Sequence, residues 1–534
     1  MKAPVVFQKL KTIDKHILAS VVLFVLVFLS LAAFWNQPCF ISDEAEIFMH
    51  GQSIANGKLL YSEIGSQHMP IMYYIAAFFS LLGVQSIVGF RLCFYVLMAF
   101  LFAIIYYVYG KAGNRLGLFL FPFIYVLLVT EVPWRASVMS DQLQGIGMAI
   151  LLLEYLSFVE DRKLSLKSCI MISLAVFISF GSAFVSVFAI FIMAVSVISY
   201  DVASEISGKN QPKAIAITLL KKYGRLFGIV LLPLVAIAAL YIFTGRFGDF
   251  INWAYRLNVD IYPKYLGYGS NIFQSLFGGY EYFFDYIRRV NFFNMGATDT
   301  LRVLAIFFAI WFVVKFSRSG KFPAFRAVST VLFIVACMTR GLFDFHGVPA
   351  IIVIALCAGI AIGFVLPAIR GKSTVVVVAV SLFVATMISP YGSEVLPNLV
   401  KITDRDAIDN FERNPTVECV DALTERGERV GFSTLDCDVI VMAGVIPASV
   451  QAGSVPWFWE QAGEQAMSEL LAAPPRVFVF YENQTVWGYS IKNYAPELVA
   501  FVKENYVQIN ESLSTVWVLK SYHNEALEIL NGTN

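Results

Sequence analysis

Ionisable side chains are concentrated between Ser42 and Pro70, directly after a first hydrophobic run long enough to cross a membrane. The stretch contains Asp43, Glu44, Glu46, His50, Lys58, Glu63 and His68. Such groups are costly beside a bilayer and are therefore candidates for function. An ordinary solvated loop is the alternative interpretation. The acids come first and Pro70 then opens a new apolar run, an order that favours a functional loop.

The composition excludes an ordinary soluble protein. Of the 534 residues, 58% are hydrophobic and only 14% are charged. The net charge of +1 gives no reason to expect nucleic acid as a partner. Aromatic residues reach 15%, which suits belts at two membrane interfaces. The chain is therefore expected to be embedded in a lipid bilayer.

The distribution of lysine and arginine predicts about eleven spans, with the N-terminus in the cytoplasm and the C-terminus outside. Pro70–Gly83 would cover only about 21 Å as a helix, too little for ~30 Å of hydrocarbon, so we expect it to lie along the outer face or to dip into it. The predicted spans are Ile17–Trp35, Val88–Gly110, Leu116–Thr130, Gln142–Phe158, 168–182, 183–200, Phe227–Phe243, 301–316, 326–338, 347–367 and 374–390.

The composition after Pro390 becomes that of a soluble domain. We therefore divide the chain into a transmembrane domain, 1–390, and a small exoplasmic α/β domain, 391–534. Its predicted strands are Arg429–Ser433, Val439–Val441, Arg476–Tyr481 and Thr515–Leu519, and its predicted helices are Glu460–Leu471 and Ala495–Asn505. In an oxidising compartment Cys419 and Cys437 are expected to form a disulfide.

A family resemblance starts at the acidic stretch and covers about the first quarter of the chain. The run from Asp43 to Gly83, followed by GFRL, resembles the first exoplasmic loop of the GT-C superfamily of membrane glycosyltransferases. The likeness is greatest to the branch of protein O-mannosyltransferases and the lipid A aminoarabinose transferase. It is carried by Asp43-Glu44, the small residues from Ala55 to Gly57, Tyr61, His68, Pro70 and Arg91-Leu92. The family usually has a second proline, whereas Met69 and Ile71 flank Pro70 here.

The resemblance implies an inverting glycosyltransferase of a bacterial inner membrane, with its active site on the periplasmic face. The donor would be a polyprenyl-phosphate sugar, and the acceptor a hydroxyl of a glycan, lipid or protein. The leaving phosphate is already a stable anion, so the reaction needs a base for the acceptor and cations for the phosphate. A glycosidase would instead need two carboxylates spanning the glycosidic bond.

The resemblance makes Asp43 the candidate base, with Glu44 as the alternative. Neighbouring residues on a helix point about 100° apart, so only one of the two can face a given substrate. Capping of the following helix by Ser42 or Asp43 is the structural alternative. Asp141 is the second candidate carboxylate, for binding sugar or a cation, and it could instead cap the inward helix.

The predicted cations for the donor phosphate are Arg91, Arg135, Lys264, Arg340 and His346. Interfacial snorkelling is the alternative for any one of them. Tyr61, His68 and Tyr262 are the predicted substrate-binding residues, although the tyrosines of the 253–268 loop also suit an interfacial belt.

No nucleotide-binding motif is present, which argues against a nucleotide-sugar donor. No cofactor is predicted: two or three acids could hold a divalent ion, but the resembling proteins work without one. A secondary transporter or lipid flippase is the alternative function, and an oligosaccharide polymerase or ligase is a third. A transporter should place its polar residues near the bilayer midplane. Here they gather in loops at one face, which favours the enzyme.

Overall fold

The structure of the chain is a computed structural model. It describes residues 14–36, 43–110, 114–129, 137–208, 212–265, 297–338, 344–369, 400–401, 404, 414–435, 437–451, 453–510 and 515–532.

Helices dominate the described chain up to residue 369. They are α1 (Lys15–Ala32), α2 (Asp43–Ala55), α3 (Ile71–Leu81), α4 (Ile87–Tyr109), α5 (Arg115–Val129), α6 (Ser140–Asp161), α7 (Leu166–Ser182), α8 (Ser186–Ser207), α9 (Pro212–Phe243), α10 (Phe247–Phe250), α11 (Tyr262–Tyr265), α12 (Ala297–Arg318), α13 (Pro323–Ala336) and α14 (Val348–Ile369). A π-helix (Ile251–Ile261) joins α10 to α11, and a 3-10 turn (Asp344–Gly347) precedes α14. Each predicted span up to 347–367 coincides with a helix.

Within the described residues, six helices are long and apolar enough to cross a membrane. They are Lys15–Ala32, Ile87–Tyr109, Ser140–Asp161, Ser186–Ser207, Ile215–Phe243 and Val348–Val365. The predicted α-helical polytopic membrane protein is thus confirmed as a class. The count of about eleven spans and their orientation stay predictions, because the last predicted span, 374–390, lies outside the described residues. The predicted domain boundary at residue 390 lies outside them too.

The C-terminal part of the chain alternates short helices with short strands. These are α15 (Pro415–Leu423), β1 (Arg429–Phe432), α16 (Cys437–Ala443), β2 (Ile446–Pro447), α17 (Pro456–Ala472), β3 (Val477–Val479), β4 (Thr485–Val486), β5 (Tyr489–Ser490), α18 (Ile491–Tyr494), α19 (Pro496–Asn505), β6 (Tyr506–Gln508), β7 (Val516–Leu519) and α20 (His523–Gly532). The five-stranded sheet has the order β2-β1-β3-β7-β6. Strand β1 runs parallel to β2 and β3, and β7 runs antiparallel to β3 and β6. The predicted α/β character of this region is confirmed.

The chain divides into two compact units. The first unit comprises Met1–Gln37, Leu92–Val235 and Ser275–Thr403. In its core α14 packs against α5, where Gly117 and Gly359 face each other. A Cβ atom on either glycine would meet the carbonyl oxygen of the other, at 2.5 and 2.6 Å. Small residues allow such close approach between membrane helices, which lack a hydrophobic drive to associate.

The second unit comprises Pro38–Arg91, Ala236–Gln274 and Asp404–Asn534. It combines the acidic stretch with the C-terminal sheet. Helix α2 lies so close to α3 that a Cβ atom on Gly51 would collide with Ala76. Helices α17 and α19 cover the sheet, with Phe478, Leu498 and Val502 in the buried cluster between them.

Two predictions for the C-terminal region are wrong. Val439–Val441 is not a strand but part of α16, where all three residues are buried. A short apolar run has no periodicity that separates a buried strand from a buried helix. Cys419 and Cys437 are not joined by a disulfide; both side chains are buried, Cys419 in α15 and Cys437 at the start of α16. The number and compartment of cysteines say nothing of whether two sulfur atoms can meet.

Candidate active site

Helix α2 places three ionisable side chains along one face. Asp43, Glu46 and His50 stand at positions i, i+3 and i+7, a spacing that stacks side chains on one side of a helix. Asp43 is half-buried, whereas Glu46 and His50 are 2% and 1% exposed. Asp43 is the first helical residue, and Ser42, the alternative cap, lies outside the described residues.

The Glu46 carboxylate is held by two hydroxyl groups. Its Oε1 accepts hydrogen bonds from Ser66 Oγ at 2.8 Å and from the Tyr73 hydroxyl at 3.0 Å. Burial raises the pKa of Glu46, and the nearby Asp43 charge raises it further, against the opposing effect of His68. Glu46 therefore retains a proton to a higher pH than an exposed glutamate does.

His68 faces the same carboxylate from the loop between α2 and α3. Its Nε2 lies 3.9 Å from Glu46 Oε2 and has no hydrogen-bond partner among the described residues. Two hydrogen bonds hold the loop backbone at His68 and at the residue before it. The Tyr61 hydroxyl donates to the His68 carbonyl oxygen at 2.7 Å, and Asn258 Nδ2 donates to the Gln67 carbonyl oxygen at 2.6 Å. The buried Tyr61 has a φ of 72°, a conformation uncommon for residues other than glycine.

Asp43, Glu46 and His68 form one cluster. Each offers a ligand atom, and these atoms lie within 4.8 Å of one another. Two carboxylates and an imidazole could hold a divalent ion. The same arrangement also suits proton transfer, because a half-buried acid stands beside a buried acid and a base. The predicted absence of a cofactor stays a prediction.

His50 links α2 to the loop that carries His68. Its Nδ1 lies 2.9 Å from the Glu46 carbonyl oxygen and its Nε2 lies 3.1 Å from the Gly65 carbonyl oxygen. Burial lowers the pKa of His50 to about 4. At neutral pH the ring is therefore uncharged and donates to one of the two carbonyls. The ring also stacks on Tyr73, with the centroids 5.0 Å apart.

Glu44 and Arg91 face away from the cluster and bind each other. Arg91 Nε donates to Glu44 Oε1 at 2.8 Å, and Arg91 Nη2 donates to Glu44 Oε2 at 2.7 Å. Both side chains are fully buried, at 0% exposure. In this conformation neither the alternative base nor the predicted phosphate-binding arginine reaches a ligand. This divergence of Asp43 and Glu44 agrees with their neighbouring positions on a helix.

The predicted residues of the aromatic loop contact the C-terminal region of the same unit. Lys264 Nζ lies 2.5 Å from Glu460 Oε1, and the Tyr265 hydroxyl donates to Glu460 Oε2 at 2.7 Å. Tyr262 packs edge-on against Trp457, with ring centroids 5.0 Å apart. The Lys264 charge is thus already matched by a carboxylate.

The remaining predicted residues belong to the first unit or are not described. Asp141 is 2% exposed in the first turn of α6, but the helix is capped at Met139, so the capping interpretation of Asp141 is wrong. His346 is buried in the 3-10 turn before α14. Arg135 and Arg340 lie outside the described residues. The roles predicted for all these residues stay predictions.

Glu46 is the residue that the sequence reasoning did not assign. The resemblance points only to the adjacent pair Asp43-Glu44 as candidate bases. The signal that could have found it is helical spacing, because a residue three positions after Asp43 shares its face.

The described residues have the fold of a polytopic membrane protein, and this fold is similar to solved structures of ArnT. ArnT from Cupriavidus metallidurans bound to undecaprenyl phosphate matches with a TM-score of 0.50 and 13% identity, over 94% of this chain and 97% of that chain. The same protein in the apo state gives 0.53 and 12%, over 93% and 97%. No protein-family model matches the sequence, and neither does any curated protein. The chain therefore has the fold of ArnT, which confirms the resemblance first indicated by the acidic stretch.

Proposed function

We propose that this protein is an inverting glycosyltransferase that moves a sugar from a polyprenyl-phosphate donor to a hydroxyl of an exoplasmic glycan, lipid or protein. The observation that carries the proposal is the cluster of Asp43, Glu46 and His68 on the first loop of a chain with the ArnT fold. The presence of undecaprenyl phosphate in the ArnT structure supports a lipid-phosphate donor here.

In the proposed reaction the acceptor hydroxyl oxygen attacks the anomeric carbon of the donor sugar. The bond from that carbon to the phosphate oxygen breaks, and polyprenyl phosphate leaves with the bonding electrons. The hydroxyl proton passes to the Asp43 carboxylate, the more exposed acid of the cluster. Attack opposite the leaving group inverts the anomeric centre.

The other two residues of the cluster have separate roles in the proposal. Glu46 binds Ser66 and Tyr73 and lies beside His68, so we assign it a positioning role rather than a catalytic one. His68 Nε2 is buried and has no hydrogen-bond partner among the described residues, so we assign His68 to the substrate. The transporter alternative fits less well, because the cluster lies on a 13-residue helix and the loop after it, outside the long apolar helices.

The test is sugar transfer by purified protein in lipid, with a defined polyprenyl-phosphate sugar as donor. Asp43→Asn should keep the shape of the site but remove the proton acceptor, and we expect a loss of about 10²–10⁴-fold in rate. Asp260→Asn, which changes an exposed carboxylate of the π-helix, is the matched control and should leave the rate unchanged.

Two outcomes would contradict the proposal. A near-normal rate for folded Asp43→Asn would remove Asp43 as the base and move the assignment to Asp141. Movement of unmodified lipid-linked sugar across the bilayer, without a new glycosidic bond, would favour a flippase.

A further inference from the structure

A cleft lies at the C-terminal end of α2, within the unit that contains the cluster of Asp43, Glu46 and His68. It has a volume of about 480 Å³, which falls within the ~300–1,000 Å³ typical of small-molecule sites. Its walls come from the C-terminal half of α2 and the residues after it, the segment around the end of α3, the turn between α15 and β1, and the residues that follow α16. Met49, the first lining residue, is six positions after Asp43, so the cleft begins roughly 9 Å along the helix from the proposed base.

Two cations line this cleft without an ion-pair partner in the described chain. Lys58, which follows α2, is half-buried, and Arg426, from the turn before β1, is exposed. The Arg426 side chain is fixed beside Gly444, whose Cβ, if present, would lie 3.1 Å from Arg426 Cγ. Gly444 has a φ of +66°, and its carbonyl accepts the Gly427 amide at 2.8 Å, so this wall is an ordered turn.

The acids nearest to Lys58 are bound elsewhere. Glu63 Oε2 accepts the Leu59 amide at 2.8 Å, and Glu469 Oε2 accepts the Val450 amide at 2.6 Å. Burial lowers the pKa of Lys58, against the attraction of these two acids and with the repulsion of Arg429. The ammonium group has therefore lost water without gaining a close counter-charge, and a bound anion would supply one.

The rest of the lining is suited to hydroxyl groups. Gln52, Asn56 and Gln85 line the cleft, and their side-chain amides make no hydrogen bond within the described chain. Each amide offers two donors and one acceptor oxygen, which is the pattern that binds sugar hydroxyls. Cations and free amides together distinguish this cleft from a plain phosphate site.

We propose that this cleft binds an anionic saccharide, with Lys58 and Arg426 on its phosphate or carboxylate and the amides on its hydroxyls. Its use for the acceptor rests on the proposed function, whereas the binding itself does not. The cleft would hold a charged part of the acceptor while another part reaches Asp43.

The experiment measures binding of glucose 6-phosphate to the full chain in lipid nanodiscs by calorimetry, with glucose and inorganic phosphate as comparison probes. Loss of a charge-assisted contact should make Lys58→Ala and Arg426→Ala each bind glucose 6-phosphate about 10-fold to 100-fold more weakly. Lys163→Ala, at an exposed lysine of the first unit, is the charge-matched control and should bind like the unchanged protein. Lys58→Arg should restore most of the affinity, which separates a lost charge from a lost fold.

Three results would overturn the proposal. The first is no binding of glucose 6-phosphate, and the second is that both alanine variants bind it as tightly as the unchanged protein. The third is that inorganic phosphate or glucose alone binds as tightly as glucose 6-phosphate. Asp43→Asn should bind glucose 6-phosphate normally, because the base lies at the other end of α2. If sugar transfer fails while this binding pattern holds, the proposed function is wrong and the cleft assignment stands. If transfer succeeds without such binding, only the cleft assignment is wrong.

Discussion

Asp43 and Glu46 are two carboxylates on one helix face with different surroundings. Asp43 is half-buried, while Glu46 is 2% exposed and bound by Ser66 and Tyr73. Environment is what lets paired acids take separate roles, since burial favours the protonated form. We therefore expect the two residues to respond differently to the same substitution.

The first residue-scale prediction concerns pH. Because the pKa of Glu46 is raised in the folded state, its contribution to stability is complete below its ordinary value of 4.5 and is lost as pH rises through the raised pKa. Glu46→Gln keeps an acceptor for Ser66 and Tyr73 but cannot ionise. The variant should lose less thermal stability than the unchanged protein between about pH 4 and pH 8.

The measurement is the unfolding midpoint of the purified protein in lipid across this pH range. Glu63→Gln, at an exposed acid of the same loop, serves as control and should follow the unchanged protein. Parallel curves for Glu46→Gln and the unchanged protein would show that Glu46 has no raised pKa.

The second residue-scale prediction concerns the buried pair of Glu44 and Arg91. Glu44→Leu leaves a buried guanidinium without this counter-charge, which typically costs about 3–5 kcal/mol. Arg91→Leu should cost a similar amount. The double variant should lose clearly less than the sum, because no uncompensated charge remains. Additive losses in the free energy of unfolding would show that the pair is not coupled.

At the scale of elements, the position of the site depends on how closely α2 approaches α3. Gly51 faces Ala76, and a Cβ atom at position 51 would lie 2.6 and 2.8 Å from the backbone C of Ala76 and N of Ala77. The backbone cannot yield as a side chain does. Helix α2 carries Asp43, so separation of the two helices also displaces the proposed base.

The element-scale prediction is that Gly51→Ala destabilises the protein by about 1–3 kcal/mol through overpacking and slows sugar transfer. Gly224→Ala is the matched control. Gly224 is in α9 with nothing within 4 Å of an added Cβ, so alanine there should be neutral or stabilising by up to about 1 kcal/mol. A stable and fully active Gly51→Ala would contradict the close packing of α2 on α3.

The sequence predicts secondary-structure elements well where their length and hydrophobic periodicity distinguish a helix from a strand. The predicted spans that fall within the described residues coincide with helices, and the predicted strands at Arg429, Arg476 and Thr515 agree with the observed strands within a residue or two. The strand prediction for Val439–Val441 is wrong because three apolar residues show no hydrophobic periodicity. The role of Glu46 could have been predicted from its spacing of three residues from Asp43. The sequence could not predict the pairing of Glu44 with Arg91 or of Lys264 with Glu460, because each pairing depends on long-range packing.

At the scale of the whole molecule, the prediction is the orientation in the membrane. Helix α3 has 11 residues and spans roughly 17 Å, too short to cross the hydrocarbon alone. A reporter fused after Gln85 should therefore report the exoplasmic side, and one fused after Asn114 the cytoplasmic side. The same side for both would show that α3 crosses or that α4 does not.

The loop that carries His68 has a consequence for biosynthesis. The Gly65 amide donates to the Val450 carbonyl oxygen at 2.9 Å, about 385 positions later in the chain. At the ~5–20 residues per second of translation, a ribosome needs on the order of 20–80 s to add the second partner after the first. During that interval the loop lacks this anchor, so the nascent chain already contains Asp43, Glu46 and His68 but not every contact that holds them in place. Under the proposed function, we expect a chain that stops before Val450 to transfer sugar more slowly than the full chain.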